Sequence, residues 1–141
     1  MTTTINADTV TGGAIVSGDA SGDLGLQAAG VTLLTLSGNA ATFNKSIAET
    51  VYALTGTALN PANGTIQTKT LSGNTTFTDS IAAGESIVLM LDAGASYTVT
   101  WPTMTWVTSS GNAAPTLTAN DTLVFWKIST TLYGAYVGSY T

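Results

Sequence analysis

The chain has 141 residues, a net charge of −5 and only three cationic side chains, Lys45, Lys69 and Lys127. So few cations exclude nucleic acid as a partner, because neutralising its phosphates requires clustered Lys and Arg. The length suits one domain, or a small domain with an extension, that buries roughly two-thirds of its unfolded surface. Apolar, β-branched and aromatic residues are plentiful, so the low charge predicts a folded β protein with a neutral surface instead of disorder.

The amino-terminal segment MTTTINADTV has neither a basic region nor an apolar core, so we do not expect a secretory signal. The most apolar run, Ile81 to Leu91, is interrupted by Glu85 and is too short to cross a bilayer. Cysteine is absent, which excludes a disulfide framework. We expect a protein that is made in a cytoplasm and does not insert into a membrane.

Residues 1–60 are predicted to form an attachment or oligomerisation region. Residues 1–11 form a polar arm, and residues 12–43 contain short strands, AIVS, LGLQA and VTLLTLSGNAATF, separated by turn residues such as GDASGD. Strands this short and rich in small residues would form a thin sheet with little to bury. This region is therefore expected to need a partner surface.

One short helix is predicted at residues 46–55. Ser46 followed by Glu49 matches a capping box, and Gly56 suits a left-handed cap at the end. Three apolar residues at positions i, i+4 and i+7 would share one face of the helix, namely Ile47, Val51 and Leu54. The β-branched residues within the segment leave another strand as the alternative.

A turn at Pro61–Gly64 marks the predicted boundary, and residues 61–141 are predicted to form the body of the protein. In the segment LVFWKI, Val124 and Trp126 alternate with Leu123 and Phe125, which is the period of a β-strand. The segment Leu132 to Val137 alternates in the same way. The predicted fold is mainly β, with an antiparallel, jelly-roll-like β-sandwich as the carboxy-terminal body.

A short phrase recurs along the chain. TLSGNAATF occupies residues 35–43, TLSGNTTF occupies residues 70–77, and SGNAA at residues 110–114 is a partial third copy. Gly-Asn between strand-like residues favours a tight hairpin loop of the primed type. Recurrent turn chemistry explains the similarity better than a duplicated unit, because a repeat fold would show similarity over its whole period.

Residues for catalysis or metal binding are sparse. Histidine and cysteine are absent, and no Gly-rich phosphate loop precedes a helix. Asp19 and Asp23 could offer oxygens to Ca²⁺, but that ion requires more ligands than two carboxylates supply. Glu85, Asp92 and Asp121 lie at strand or turn edges without an accompanying polar cluster. We therefore expect no enzyme, no metal site and no cofactor; a carboxylate-based glycan hydrolase using Glu85 or Asp121 is the remaining enzymatic alternative.

Aromatic residues in the second half are the other candidates for function. They can form a stacking platform for sugar rings, fill a subunit interface or belong to the core, and the sequence leaves all three open. Tyr140, beside the carboxy terminus, is the best candidate for an exposed ring. The six candidates are Trp101, Trp106, Trp126, Tyr133, Tyr136 and Tyr140.

Self-association is predicted from the scarcity of edge-protecting residues. Antiparallel sheets expose edges that monomers protect with Lys, Pro or bulges. The chain contains three Lys and three Pro, so neighbouring subunits are expected to cover its edges. The predicted assembly is a homotrimer around an axis.

Two stretches carry a resemblance to a known class of proteins. The run SYTVTWPTMTWV followed by APTLTANDTLVFWKISTTLYGAYVG resembles carboxy-terminal β modules of structural proteins from tailed bacteriophages. SGDASGDLGLQAAGVTLLTLSGNA is similar to strand-and-turn segments of phage fibre shafts and their attachment regions. Such modules occur in tail fibres and in capsid decoration or head-fibre proteins, which are typically trimeric. The resemblance marks no catalytic or ligand residue.

The resemblance implies a non-enzymatic protein on the virion surface that is synthesised in the cytoplasm of a bacterial host. The expected function is a trimeric capsid decoration protein whose amino-terminal half docks on the major capsid protein or another virion protein. The alternative is a tail-fibre tip that binds host glycan through the aromatics above. Candidate docking residues in the amino-terminal half are Ile5, Val10, Ile15 and Val16.

Overall fold

The computed structural model describes residues 24–108 and 111–141, which are mainly β. They belong to two compact units that divide between Ala48 and Glu49. The predictions for the polar arm, for the first short strands, for Asp19 and Asp23 and for four docking residues lie outside the described residues. Those four are Ile5, Val10, Ile15 and Val16.

The first unit contains a three-stranded antiparallel sheet, which we call the meander. Its strands follow chain order, so each neighbouring pair is joined by a short loop. They are β1 (Leu24–Ala28), β2 (Val31–Ser37) and β3 (Ala40–Phe43).

Two-residue loops join the strands of the meander. Ala29 and Gly30 both have positive φ, 50° and 75°, as a type I′ hairpin turn requires. At the second loop Gly38 has a φ of 54°, and Ser37 pairs directly with Ala40. The first TLSGN phrase therefore forms the tight primed hairpin that the sequence predicts.

The second unit has one six-stranded sheet and two parallel pairs, β5 with β8 and β7 with β10. The order in the large sheet is β11-β13-β12-β9-β6-β4. Single turns of 3-10 helix occur at Pro61–Asn63 and Gly94–Ser96. The strands are β4 (Val51–Ala53), β5 (Ala58–Leu59), β6 (Ile66–Thr70), β7 (Thr75–Thr76), β8 (Thr78–Asp79), β9 (Ser86–Asp92), β10 (Val99–Thr100), β11 (Thr105–Trp106), β12 (Asn120–Ile128) and β13 (Thr131–Ser139).

The pairing differs from the antiparallel sandwich expected from the sequence. Within the six-stranded sheet, only the β9–β12 and β12–β13 pairs are antiparallel, whereas β4–β6, β6–β9 and β11–β13 are parallel. Parallel neighbours need long crossover connections, and residues 54–65 and 71–85 supply them. The second TLSGN phrase lies at the start of the longer crossover, so it does not form a hairpin.

The helix predicted at residues 46–55 is wrong. Residues 46–50 have no regular structure, and β4 follows as a strand parallel to β6. Thr65 Oγ1 donates a 2.6 Å hydrogen bond to the Glu49 carboxylate, which places this acid beside the sheet instead of in a helix cap. The strand alternative is the correct one, and the units divide before the boundary predicted at residue 61 because β4 belongs to the large sheet.

The core lies on one side of the six-stranded sheet. In β12 the predicted alternation is confirmed: Leu123 and Phe125 are fully buried, whereas Val124 and Trp126 on the opposite side are half-buried. We call the side of Leu123 and Phe125 the inner face and the opposite side the outer face. Side chains from strands and crossovers complete the core, among them Leu54, Leu59, Leu71, Phe77, Ile81, Ile87, Leu89, Leu91, Trp106 and Leu132.

Gly134 allows Trp106 to pack closely on the inner face. A Cβ at this position would lie 2.9 Å from Met104 Sδ and 3.0 Å from a ring carbon of Trp106. Those distances are shorter than ordinary contacts. Glycine therefore lets β11 and its tryptophan pack directly over β13.

Candidate functional site

The six candidate aromatics do not form one platform. Trp101 and Trp106 belong to the inner-face cluster, where Trp101 stacks on Phe77 with ring centroids 5.0 Å apart. Trp106 meets Trp101 edge-on at 5.5 Å and is only 6% exposed. Phe125 completes the cluster at 5.4 Å from Trp101. These two tryptophans therefore stabilise the core and offer no open ring face to a sugar.

Tyr136 and the loop before β12 both donate hydrogen bonds to the buried carboxylate of Asp121. Its hydroxyl donates a 3.0 Å hydrogen bond to Asp121, which is fully buried. Thr118 donates to the same carboxylate from its backbone N–H, at 2.8 Å, and from its hydroxyl, at 2.7 Å. Burial, together with the bond to Asp121, raises the pKa of Tyr136. These three donors satisfy a carboxylate that would otherwise be costly to bury.

Tyr140 fastens the carboxy terminus to the sheet. Its hydroxyl donates a short hydrogen bond to Asp92, which also accepts from Thr70 at 3.0 Å. Its backbone N–H donates to the carbonyl of Asn120 at 3.1 Å. The bond to Asp92 raises the pKa of Tyr140 to about 12. The residue expected to be the most exposed ring is thus half-buried and committed to these contacts.

Trp126 and Tyr133 form a stacked pair on the outer face. They are direct partners across β12 and β13, and their ring centroids lie 5.7 Å apart with an interplanar angle of 12°. Both side chains are half-buried. Of the other four candidates, Tyr140 also reaches this side, because its hydroxyl donates to Asp92, which shares the outer side of β9 with Val88.

The stacked pair lies beside an aliphatic row that crosses five strands. Pairing brings the members of this row side by side although they are distant in the sequence. None of them is buried by the described residues, and the terminal member, Val51, is 62% exposed. We call these residues the outer row, and from β4 to β13 they are Val51, Ile66, Val88, Val124 and Ala135.

Charged groups avoid the centre of the outer face. Lys69 and Lys127 lie on the inner side, where Lys69 donates to the carbonyl of Leu54 at 3.2 Å and Lys127 forms a 2.5 Å ion pair with Asp79. Asp92 lies at the end of β9, where Tyr140 and Thr70 donate to its carboxylate. The outer face is therefore neutral over its central strands.

The meander has an apolar face that nothing in the described part of its own unit buries. The strand register places five large apolar side chains on the same side, and Leu26 and Phe43 are 46% and 56% exposed. A cavity of about 330 Å³ opens there against Lys45, Ser46 and Ile47. Residues 24–44 contain no charged side chain. The five apolar residues are Leu24, Leu26, Leu34, Leu36 and Phe43.

The carboxylates considered for catalysis serve local structure. The Glu85 carboxylate accepts a 2.8 Å hydrogen bond from the backbone N–H of Ala82, and Asp92 and Asp121 accept the bonds described above. In residues 24–108 and 111–141, no three groups of the metal-binding types come together. The arrangement therefore stabilises turns and strand ends.

Comparisons of the chain with protein-family models, with curated proteins and with solved structures found no match. Within the described ranges, no helix has the length and apolar character needed to span a membrane. The outer row could not be predicted from the sequence, because its members come from five strands, of which β4, β6 and β9 pair in parallel across long crossovers. The only local signal was the alternation within single strands, such as that of Val124 and Trp126 with Leu123 and Phe125.

Proposed function

We propose that this chain is a non-enzymatic structural protein on the surface of a tailed-phage virion. In this proposal it is a homotrimeric capsid decoration protein that is made in the bacterial cytoplasm and docks through its amino-terminal half. Its partner is the major capsid protein or another virion protein. The observation that supports docking is the apolar face of the meander, because sheets of this kind require cover. The short two-stranded sheets then form the second layer of a β-sandwich body.

The meander is too small to hide its own apolar side chains. A sheet needs at least one packed face for stability, yet none of the side chains in β1, β2 and β3 is fully buried. Burying a leucine side chain contributes roughly 1.5–3 kcal/mol relative to leaving it exposed. Covering this face with a capsid groove would therefore order the meander and attach the protein in one step.

The size of the meander face suits a contact that is repeated many times on a particle. Three strands at about 4.8 Å spacing and about 20 Å length give a face of roughly 300 Å², well below the ~800 Å² per partner of a stable pair. One such contact is weak, but a trimer that docks through three of them gains effective concentration. Binding only to the assembled shell then stabilises the shell by mass action.

Co-sedimentation with separated phage heads and tails tests this proposal. We expect the protein to sediment with heads, and the double variant Leu34→Thr with Leu36→Thr to lose that binding. Thr32→Ala is the control, since Thr32 lies on the same strand and faces the opposite side, where Gln27 donates a hydrogen bond to its hydroxyl. Binding to tails alone, or head binding that survives the double substitution, would contradict docking through the meander.

A tail-fibre tip that binds host glycan is the second candidate. It is favoured by the half-buried Trp126–Tyr133 pair, because flat aromatic rings recognise the apolar faces of sugars. Glycan-array binding that disappears in Trp126→Ala and Tyr133→Ala would support this function. Tyr97→Ala is the control, since Tyr97 is exposed and lies outside the six-stranded sheet.

A further inference from the structure

We infer that the outer face of the six-stranded sheet is the surface through which copies of this chain contact one another. The inference deepens the proposed function and rests on it for the homo-oligomer whose contact it names. Four features of the face carry it: the aliphatic outer row, the neutral centre, the available area and the shortness of the sheet edges.

The outer row is the kind of surface that the centre of an interface contains. The solvent-facing side of a sheet normally carries polar side chains. On the outer face, in contrast, aliphatic side chains lie next to one another across β4, β6, β9, β12 and β13. Interface centres are depleted of charge and enriched in aromatic residues. The Trp126–Tyr133 pair beside the row supplies that aromatic component.

Charge favours a second copy as the occupant. Each chain carries −5, so two copies repel each other unless they meet through surfaces that hold little of that charge. The outer face meets this condition, because both lysines of the sheet lie on the inner side and the Asp92 carboxylate lies at one end. A strongly basic partner would find no matching acidic cluster on the central strands.

The area of the outer face is close to that of a standard interface. Five strands at about 4.8 Å and a length of seven residues in β9 give roughly 550 Å² in flat projection. Side-chain relief makes the accessible area larger, so the face approaches the ~800 Å² per partner of a standard interface. The meander face, at roughly 300 Å², does not reach this size.

The sheet edges are poor candidates for the same contact. The edge strands β4 and β11 contain three and two residues, and short edge strands prevent pairing between molecules. Self-association was expected from the sequence on the ground that edges would need cover. Because the edges are short, the outer face and not the edges is the surface that needs cover from neighbouring copies.

Mass measurement in solution is the first test. We expect the wild type to form an oligomer at micromolar concentration and Val88→Lys to have the mass of the 14.3 kDa monomer, with an unchanged circular dichroism spectrum. Thr76→Lys is the control, since Thr76 is exposed on β7, outside the six-stranded sheet, and it should remain oligomeric. A monomeric wild type, or an oligomer that survives Val88→Lys, would overturn the inference.

Single-cysteine labelling keeps the test decisive if the lysine variant fails to fold. The chain contains no cysteine, so Val51→Cys and Thr76→Cys each introduce one unique thiol at a position that is exposed in the single chain. We expect maleimide to label Thr76→Cys fast and Val51→Cys at least about tenfold more slowly, because exchange of a covered site waits for dissociation. Equal labelling rates in an oligomeric sample would overturn the inference.

The head-binding assay separates this inference from the proposed function. A Val88→Lys monomer shows that the outer face is the contact between copies, whether or not the wild type binds heads. An oligomer held through the outer face that binds neither heads nor tails contradicts the virion role alone. Head binding together with an oligomer that Val88→Lys leaves intact contradicts the outer-face contact alone.

Discussion

The meander and the six-stranded sheet are built from similar residues, yet only one of them has a core. Phe125 in β12 is fully buried among aromatic neighbours, whereas Phe43 in β3 is 56% exposed. The difference is architectural, because crossovers cover the inner face of the large sheet, whereas none of the described residues of the first unit covers the meander. Apolar content therefore measures how much surface must be buried, while topology decides whether the chain itself can bury it.

The largest loss of stability is expected from a cavity in the core of the six-stranded sheet. Phe125→Ala should lower the free energy of unfolding by about 3–5 kcal/mol, because it leaves a cavity beside Trp101 and Trp106. Phe43→Ala is the matched control and should change it by less than about 0.5 kcal/mol. Urea denaturation measures both when tryptophan fluorescence reports the second unit and circular dichroism reports the whole chain, and equal losses would contradict the division into covered and uncovered sheets.

A smaller loss is expected from the buried carboxylate that holds the loop before β12. Asp121→Asn should cost about 1–3 kcal/mol, because the amide can no longer accept from Thr118 and Tyr136 together. Glu85→Gln changes an exposed carboxylate with one backbone bond and should have little effect. Chemical denaturation at neutral pH compares them; an Asp121→Asn protein as stable as the wild type would show that the cluster is dispensable.

The hydrogen bond from Tyr140 to Asp92, near the carboxy terminus, should make a smaller and pH-dependent contribution to the stability of the protein. The folded-state pKa of Tyr140 is raised above 10 to about 12, so its stabilising contribution is complete below pH 10 and disappears as the pH rises through 12. Tyr140→Phe should therefore be less stable than the wild type below pH 10, and this difference should shrink as the pH rises from 10 through 12. Tyr97→Phe serves as control for tyrosine titration in general. A stability difference that does not change with pH would contradict the Asp92–Tyr140 bond as its source.

The smallest effect is expected from removing the meander. A chain of residues 49–141 should unfold at the same urea concentration as the full chain, because the core cluster lies entirely in the second unit. Head binding should disappear in the same truncated protein. A large loss of stability would mean that the two units fold as one, and the comparison between them would no longer hold.

Local patterns predicted a good part of this fold. The alternation in Leu123–Ile128 and Leu132–Val137 correctly predicted the two longest strands of the described residues, and Gly38 with Asn39 correctly predicted a hairpin loop. The capping-box pattern at Ser46 and Glu49 failed, because a hydrogen bond from Thr65 competes for the same carboxylate. A side chain sixteen positions away is invisible to local reasoning.

Local sequence patterns were enough to predict a β protein with few charges and many neutral and apolar side chains, and to predict which residues alternate along the longer strands. The long-range pairing was needed to establish that β4, β6 and β9 run parallel and that five aliphatic residues meet in one row. It also divides the aromatic residues among the core, the hydrogen bonds to Asp92 and Asp121, and the outer face. The two kinds of information differ in the sequence separation on which they depend. Alternation depends on residues two positions apart, whereas parallel pairing depends on contacts between strands that long crossovers separate in the sequence.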